Sequence, residues 1–131
     1  MLPNLKPTVC NICGSSVIYT SNKRIYGREY GSGRCYLCEN PRCRAFVGTH
    51  APKPEIALGI LATAEMREMK KKVHALFDER WLHEKECDRR SARSRAYKWL
   101  AKKMNIPVEE CHFGYFDMEK LEIAYEILSK Q

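Results

Sequence analysis

The residues best suited to chemistry are two cysteine knuckles. Cys10-Asn11-Ile12-Cys13 is followed directly by Gly14, and further on comes Cys38-Glu39-Asn40-Pro41-Arg42-Cys43. Thiolates hold zinc tetrahedrally at about 2.3 Å, and four protein ligands close a structural site. Two intervening residues bring both sulfurs of the first knuckle to one point, and a glycine after the second cysteine tolerates a positive φ. The second half offers three cysteines for two places, because Cys35-Tyr36-Leu37-Cys38 is also a Cys-x-x-Cys. In a strand over 34–37, Cys35 shares a face with Leu37, and Tyr36 shares the other with Cys38. Asn40-Pro41 is a turn pair that folds Cys43 back toward Cys38. The pattern therefore favours Cys10, Cys13, Cys38 and Cys43, with Cys35 as the competing ligand and His50 as a fifth candidate. One cysteine pair could simply be small buried hydrophobes. Two knuckles across a strand-rich spacer point to metal.

One structural zinc ion is the expected cofactor. A catalytic zinc keeps an open position and commonly uses His or carboxylate ligands. The expected role of the ion is to stabilise a segment too small to fold on its own core. Candidates for acid–base chemistry are few. His74 and Asp78 stand four apart on a helical stretch, and His112 lies near Asp117. A His oriented by a carboxylate can act as a general base. No nucleophile motif, phosphate-binding glycine loop or paired acidic metal site accompanies them, so no enzyme activity is expected.

A third chemistry is the interleaving of cations with aromatic rings, which neutralises phosphates and stacks unpaired bases. In the cysteine-rich segment the candidates for nucleic-acid contact are Lys23, Arg24, Arg34, Tyr36, Arg42 and Arg44. Further along they are Arg93, Arg95, Lys98 and Lys102, with Trp99 at the margin of that basic face. The competing reading has the tyrosines forming a thin core and Trp99 packing.

The charge distribution agrees with a polyanion partner. Of 131 residues, 23 are Lys or Arg and 16 are Asp or Glu, a net charge of +7. Residues 1–50 and 87–105 carry most of the positive excess, 51–86 are neutral, and 106–131 are acidic. Two basic stretches suggest a polyanion-binding surface. Seven cysteines, an odd number without an export signal, argue against a disulfide framework and for a reducing, cytoplasmic setting. No apolar run approaches the ~20 residues of a membrane span.

These side chains need elements to hold them. Residues 16–20, 34–37 and 45–49 read as short strands, with glycines 27, 31 and 33 as turns and no room for a helix of ordinary length between them. Pro52 and Pro54 mark a connection. The spacing of Met66, Met69, Val73, Leu76, Phe77 and Trp81 predicts a helix from about Thr63 to Lys85. A second helix is expected over 91–104, with Ser91 or Ser94 as its N-cap, and a third is capped by Asp117. The expected architecture is α+β: a four-cysteine zinc ribbon over 1–50, a linker over 51–62, and a three-helix region over 63–131 packed on the ribbon. Trp81, Tyr97, Leu100, Leu121 and Leu128 are expected in the helical core.

The cysteine pattern, with Pro41 inside the second knuckle and an aromatic strand after it, resembles the zinc ribbons at the C-terminal end of bacterial type IA topoisomerases. The whole chain resembles a small zinc-finger family of unknown function found mainly in phages, prophages and their bacterial hosts. That resemblance runs through Cys10–Gly14, Tyr30-Gly31, Cys38–Cys43, Val47–His50 and Leu58-Gly59 to Ala62. It continues through His74-x-x-Phe77-Asp78-x-x-Trp81, Arg93–Ala101 and His112–Asp117. It implies Cys38 and Cys43 as ligands and does not rely on Cys35. The ribbon resemblance implies single-stranded DNA as the partner, and the family resemblance implies the cytoplasm of a bacterial host cell as the setting. The alternative expectation is a protein-binding inhibitor of a host defence or host enzyme.

Overall fold

The computed structural model describes residues 2–85 and 87–130. It is an α+β chain that divides into two compact units, Pro3–Glu65 and a helical unit from Met66 onward.

The first unit is built on a three-stranded antiparallel sheet in the order β1-β2-β3, with β1 at Val17–Ser21, β2 at Arg34–Cys38 and β3 at Phe46–Gly48. Tyr19 stands opposite Tyr36, Val17 opposite Cys38, and Val47 on the far side of Tyr36. Residues directly opposite share a face. One face thus gathers Val17, Tyr36, Cys38 and Val47, and these pack with Cys10, Ala45, Ala57 and Leu61 into a small core. Thr20, Cys35 and Leu37 take the other face.

Residues 51–62, read from their prolines as a linker, lie against this sheet. Thr49 bridges Ala57 and Phe46 bridges Ala62, while Ala57 and Leu61 are fully buried. Asn11 fastens this return: its side chain donates to the Leu61 carbonyl at 3.0 Å and accepts from the Leu61 N–H at 2.9 Å. Pro52 and Pro54 restrict only their own φ and their own missing N–H. They leave the residues after them free to pair.

The expected three-helix count falls short by one. Between β1 and β2 lies a single helical turn, α1, at Lys23–Tyr26. Gly27 closes it at φ +79°, its N–H bonded to the Lys23 carbonyl. One turn carries no periodicity to read, and a left-handed glycine cap stops it as soon as it forms.

The helical unit comprises α2 at Ala64–Trp81, α3 at Arg89–Met104 and α4 at Met118–Ser129, with two 3-10 turns at Val108–Glu110 and Phe113–Tyr115. Helix α3 starts earlier than expected because Asp88, not a serine, is its N-cap; the carboxylate accepts from the Ser91 N–H at 2.7 Å. Helix α2 stops at Trp81, short of Lys85. Asp117 caps α4 as expected, accepting from the Lys120 N–H at 3.0 Å. Asp117→Ala should cost about 1 kcal/mol, the usual value of a lost N-cap. Urea unfolding followed by tryptophan fluorescence reports this unit selectively, because both tryptophans, Trp81 and Trp99, lie in it.

Leu100, Leu121 and Leu128 are buried as expected, but Trp81 and Tyr97 are only half-buried. The heart of the unit is instead Phe77, Phe113 and Phe116. Phe113 meets Phe77 at 5.2 Å, Tyr97 at 5.9 Å, Phe116 at 5.8 Å and the His74 ring at 4.6 Å. None of its helices is long and apolar enough to cross a membrane, nor is α1.

Candidate metal centre

Cys10 and Cys13 sit on the turn before β1, Cys38 ends β2, and Cys43 lies on the turn leading into β3. The first turn closes when the Gly14 N–H bonds to the Cys10 carbonyl at 2.9 Å, with Gly14 at φ +80°. In the second turn, the Cys43 and Arg44 N–H groups both reach the Asn40 carbonyl at 3.0 Å. Arg44 takes the equivalent left-handed place at φ +52°, a conformation non-glycine residues seldom adopt. Both turns aim their sulfurs at one point.

The four Sγ atoms lie within 4.8 Å of one another. Cys10 and Cys43 are 3.8 Å apart, and Cys13 and Cys38 are 3.5 Å apart. A tetrahedron of thiolates around zinc has sulfurs about 3.8 Å apart, as a 2.3 Å bond requires. A disulfide needs about 2.05 Å. The spacing is that of ligands, and all four cysteines are free. The donor set also fits the charge of a divalent soft-acceptor ion.

Backbone N–H groups and the Asn40 side chain point at the sulfurs of the cluster. The Ile12 N–H points at Cys10 Sγ and the Asn40 N–H at Cys38 Sγ, each at 3.4 Å. The Asn40 side chain spans both turns: its Oδ1 accepts from the Arg42 N–H at 3.0 Å and its Nδ2 reaches Cys13 Sγ at 3.7 Å. Hydrogen bonds from Ser15 lower Cys13 to about 6. Burial, reinforced by the neighbouring sulfurs, pushes Cys38 up to about 12. Cys10 and Cys38 are buried and Cys13 is exposed, so the cluster sits at the edge of the core. The bridging role of Asn40 is not visible in the spacing of the cysteines; its only sequence signal is the Asn-Pro turn.

Cys35, the competing ligand, stands apart from the cluster. It pairs with Thr20 and Gly48 on the other face and is 1% exposed, and burial raises its thiol pKa. His50 is exposed and outside the cluster.

The candidate nucleic-acid residues separate into groups. In the first unit, Lys23 and Arg24 on α1 and Arg34 at the start of β2 are exposed around the end of the sheet remote from the cysteines. Arg42 and Arg44 are exposed on the second cysteine turn. Four residues of β2 separate the two ends, about 13 Å at 3.3 Å per residue. Tyr36 is a correction. At 7% exposure its ring is in the core, tilted against Tyr19 at 5.0 Å, and its hydroxyl donates to the Glu55 carbonyl at 2.7 Å. The exposed rings are Tyr19, Tyr26 and Tyr30 at 45%, 52% and 69%. Strand alternation alone cannot say which face of a thin sheet is covered.

On α3 the cations divide as well. Arg95, Lys98 and Lys102 recur at three and four residues and share one face. Arg93 lies on a different face, its guanidinium 5.4 Å from the Tyr97 ring. Trp99 packs within the helical unit: the Arg80 guanidinium lies 3.6 Å from its ring centroid. The acid–base candidates are engaged structurally. Asp78 accepts from Trp81 Nε1 at 3.1 Å, His74 abuts Phe113, Asp117 caps α4, and His112 stacks on Tyr115 at 4.5 Å.

No curated protein and no solved structure matches the chain significantly. Residues 6–131 match a family model described as a zinc-finger-containing domain. The cysteine cluster and this match along nearly the whole chain lead to one conclusion: the protein belongs to the DUF3268 family of zinc-finger-containing domains.

Proposed function

We propose that the chain is a zinc-stabilised module that binds single-stranded nucleic acid, DNA in preference, without catalysing a reaction. One structural zinc ion is held by Cys10, Cys13, Cys38 and Cys43, and the setting is that of a phage or prophage protein in the host cytoplasm. The observation that carries the binding reading is the loop over 22–33. Asn22 is buried and locks this loop, donating to the Tyr30 carbonyl at 2.6 Å and accepting from the Tyr30 N–H at 3.1 Å. So fixed, the loop holds Tyr26 and Tyr30 edge to face at 5.8 Å, both more than half exposed, among Lys23, Arg24 and Arg28. Arg34 stands beside Tyr19, 5.8 Å from its ring. Rigid exposed rings beside cations suit unpaired bases and their phosphates. The resemblance to topoisomerase ribbons favours DNA.

Fluorescence anisotropy with a labelled oligothymidine tests this reading. If about five phosphates are neutralised, affinity should fall about 100-fold between roughly 50 and 200 mM salt. Tyr30→Ala should cost about 1–3 kcal/mol, the value of one base stack. Salt-independent or absent binding, with one host protein co-purifying instead, would favour the protein-binding inhibitor.

A further inference from the structure

The helical unit contains a cleft of about 530 Å³ that the cysteine cluster and the basic ribbon surface do not explain. One wall is α3, which contributes Arg90, Arg93, Ser94 and Tyr97; the other is the segment over 108–112, which contributes Val108, Glu109, Cys111 and His112. The volume falls within the range of small-ligand sites.

The two walls differ in chemistry. Arg90 and Arg93 are three apart on one helix face, and both line the cleft. Arg93 is already oriented, lying over the Tyr97 ring with Nη2 3.5 Å from the Tyr97 hydroxyl. Ser94 adds a second hydroxyl. Guanidinium forks match phosphate oxygens in geometry and charge. The opposite wall carries an apolar side chain at Val108, the His112 ring held flat on Tyr115, and one carboxylate at Glu109. Its carboxylate repels a second large anion and accepts hydrogen bonds from a neutral donor. The floor is rigid, because Tyr97 packs on Phe77 at 4.5 Å and on Phe113. Cys111 is buried there, its thiol raised to about 11 by that burial.

We propose that this cleft binds a nucleotide-sized phosphomonoester, with the phosphate on Arg90, Arg93 and Ser94 and the neutral ring system toward Glu109 and His112. A nucleoside 5′-monophosphate and the 5′-phosphorylated end of a strand share that chemistry. The site does not depend on the ribbon surface, so it stands or falls apart from the single-strand reading.

The test is amide NMR of the full zinc-loaded chain titrated with thymidine 5′-monophosphate, thymidine, inorganic phosphate, and an oligothymidine with and without a 5′-phosphate. Thymidine 5′-monophosphate should shift the resonances of Ser94, Tyr97 and His112, and thymidine should not. Arg90→Ala and Arg93→Ala should each weaken binding about tenfold or more, as loss of a charge-assisted hydrogen bond does. Both side chains are exposed, so the variants should keep the wild-type spectrum elsewhere. A 5′-phosphorylated strand that shifts Ser94, Tyr97 and His112 at lower concentration than thymidine 5′-monophosphate does, where the unphosphorylated strand leaves them unmoved, identifies a strand end as the ligand; equal concentrations identify the free nucleotide. Absence of shifts at Ser94, Tyr97 and His112 with every phosphate-bearing probe up to about 10 mM, a level that would register even millimolar affinity, overturns the proposal.

Discussion

Cys38→Ser should leave the purified protein without zinc and the residues of β1, β2 and β3 without a folded core. The expected loss is large because the apolar core of this unit is small. It consists chiefly of Tyr36, Val47, Leu61, two alanines and the cysteines themselves. Apparent binding free energies for structural zinc run to about 10–16 kcal/mol, as large as the whole stability of a typical domain at about 5–15 kcal/mol. Removing Cys38 takes away a buried ligand and half of the second knuckle. A strong chelator applied to the wild-type protein should do the same. Metal content by mass spectrometry and the amide dispersion of residues 17–48 are the readouts. Cys35→Ala is the matched control, since it truncates an equally buried cysteine on the other face. It should keep its zinc. A Cys38→Ser protein that retains full metal while Cys35→Ala loses it would reassign the ligand set.

Phe113→Ala should destabilise the helical unit by about 3–5 kcal/mol, the range for truncating a buried aromatic ring. Phe113 is among the largest fully buried side chains and touches four other rings from α2, α3 and the 3-10 segment. Aromatic pairs add about 0.5–1.5 kcal/mol beyond their buried area, so the upper half of the range is expected. With a urea dependence of about 1–3 kcal/mol per molar, the midpoint should move by roughly 2 M. Trp81 and Trp99 fluorescence follows this transition directly. Tyr115→Ala, in the same 3-10 turn but only half-buried, should cost distinctly less. A loss below about 1 kcal/mol for Phe113→Ala would remove Phe113 from the centre of the core, since even modest core truncations exceed that value.

Some features were legible because they are local. The two knuckles, the strand character of 16–20 and 34–37, the stripe of α2 and the Asp117 cap each depend on spacing over a few residues, which the chain states outright. The face of Cys35 also followed from local alternation, once β2 was recognised as a strand. Its exclusion from the cluster is the same alternation seen in three dimensions. The one-turn helix α1 escaped because four residues show no period. The Asp88 cap escaped because the nearby serines offer the same chemistry one turn later.

By itself, then, the sequence favoured four cysteines through turn geometry and left Cys35 and His50 in competition; the structure brought Cys10, Cys13, Cys38 and Cys43 together without them. Membership in a zinc-finger-containing family agrees with that reading. What only the tertiary structure decided is what surrounds them. Burial depends on which elements cover a face, and covering elements come from distant parts of the chain. Residues 51–62 fold back over the sheet and take Tyr36 into the core, leaving Tyr19, Tyr26 and Tyr30 outside. Arg93 likewise parts from Arg95, Lys98 and Lys102, because a helix of 3.6 residues per turn sends neighbours in sequence to different faces. The cleft over α3 needs the segment at 108–112 as its second wall, and no spacing in either stretch announces the other.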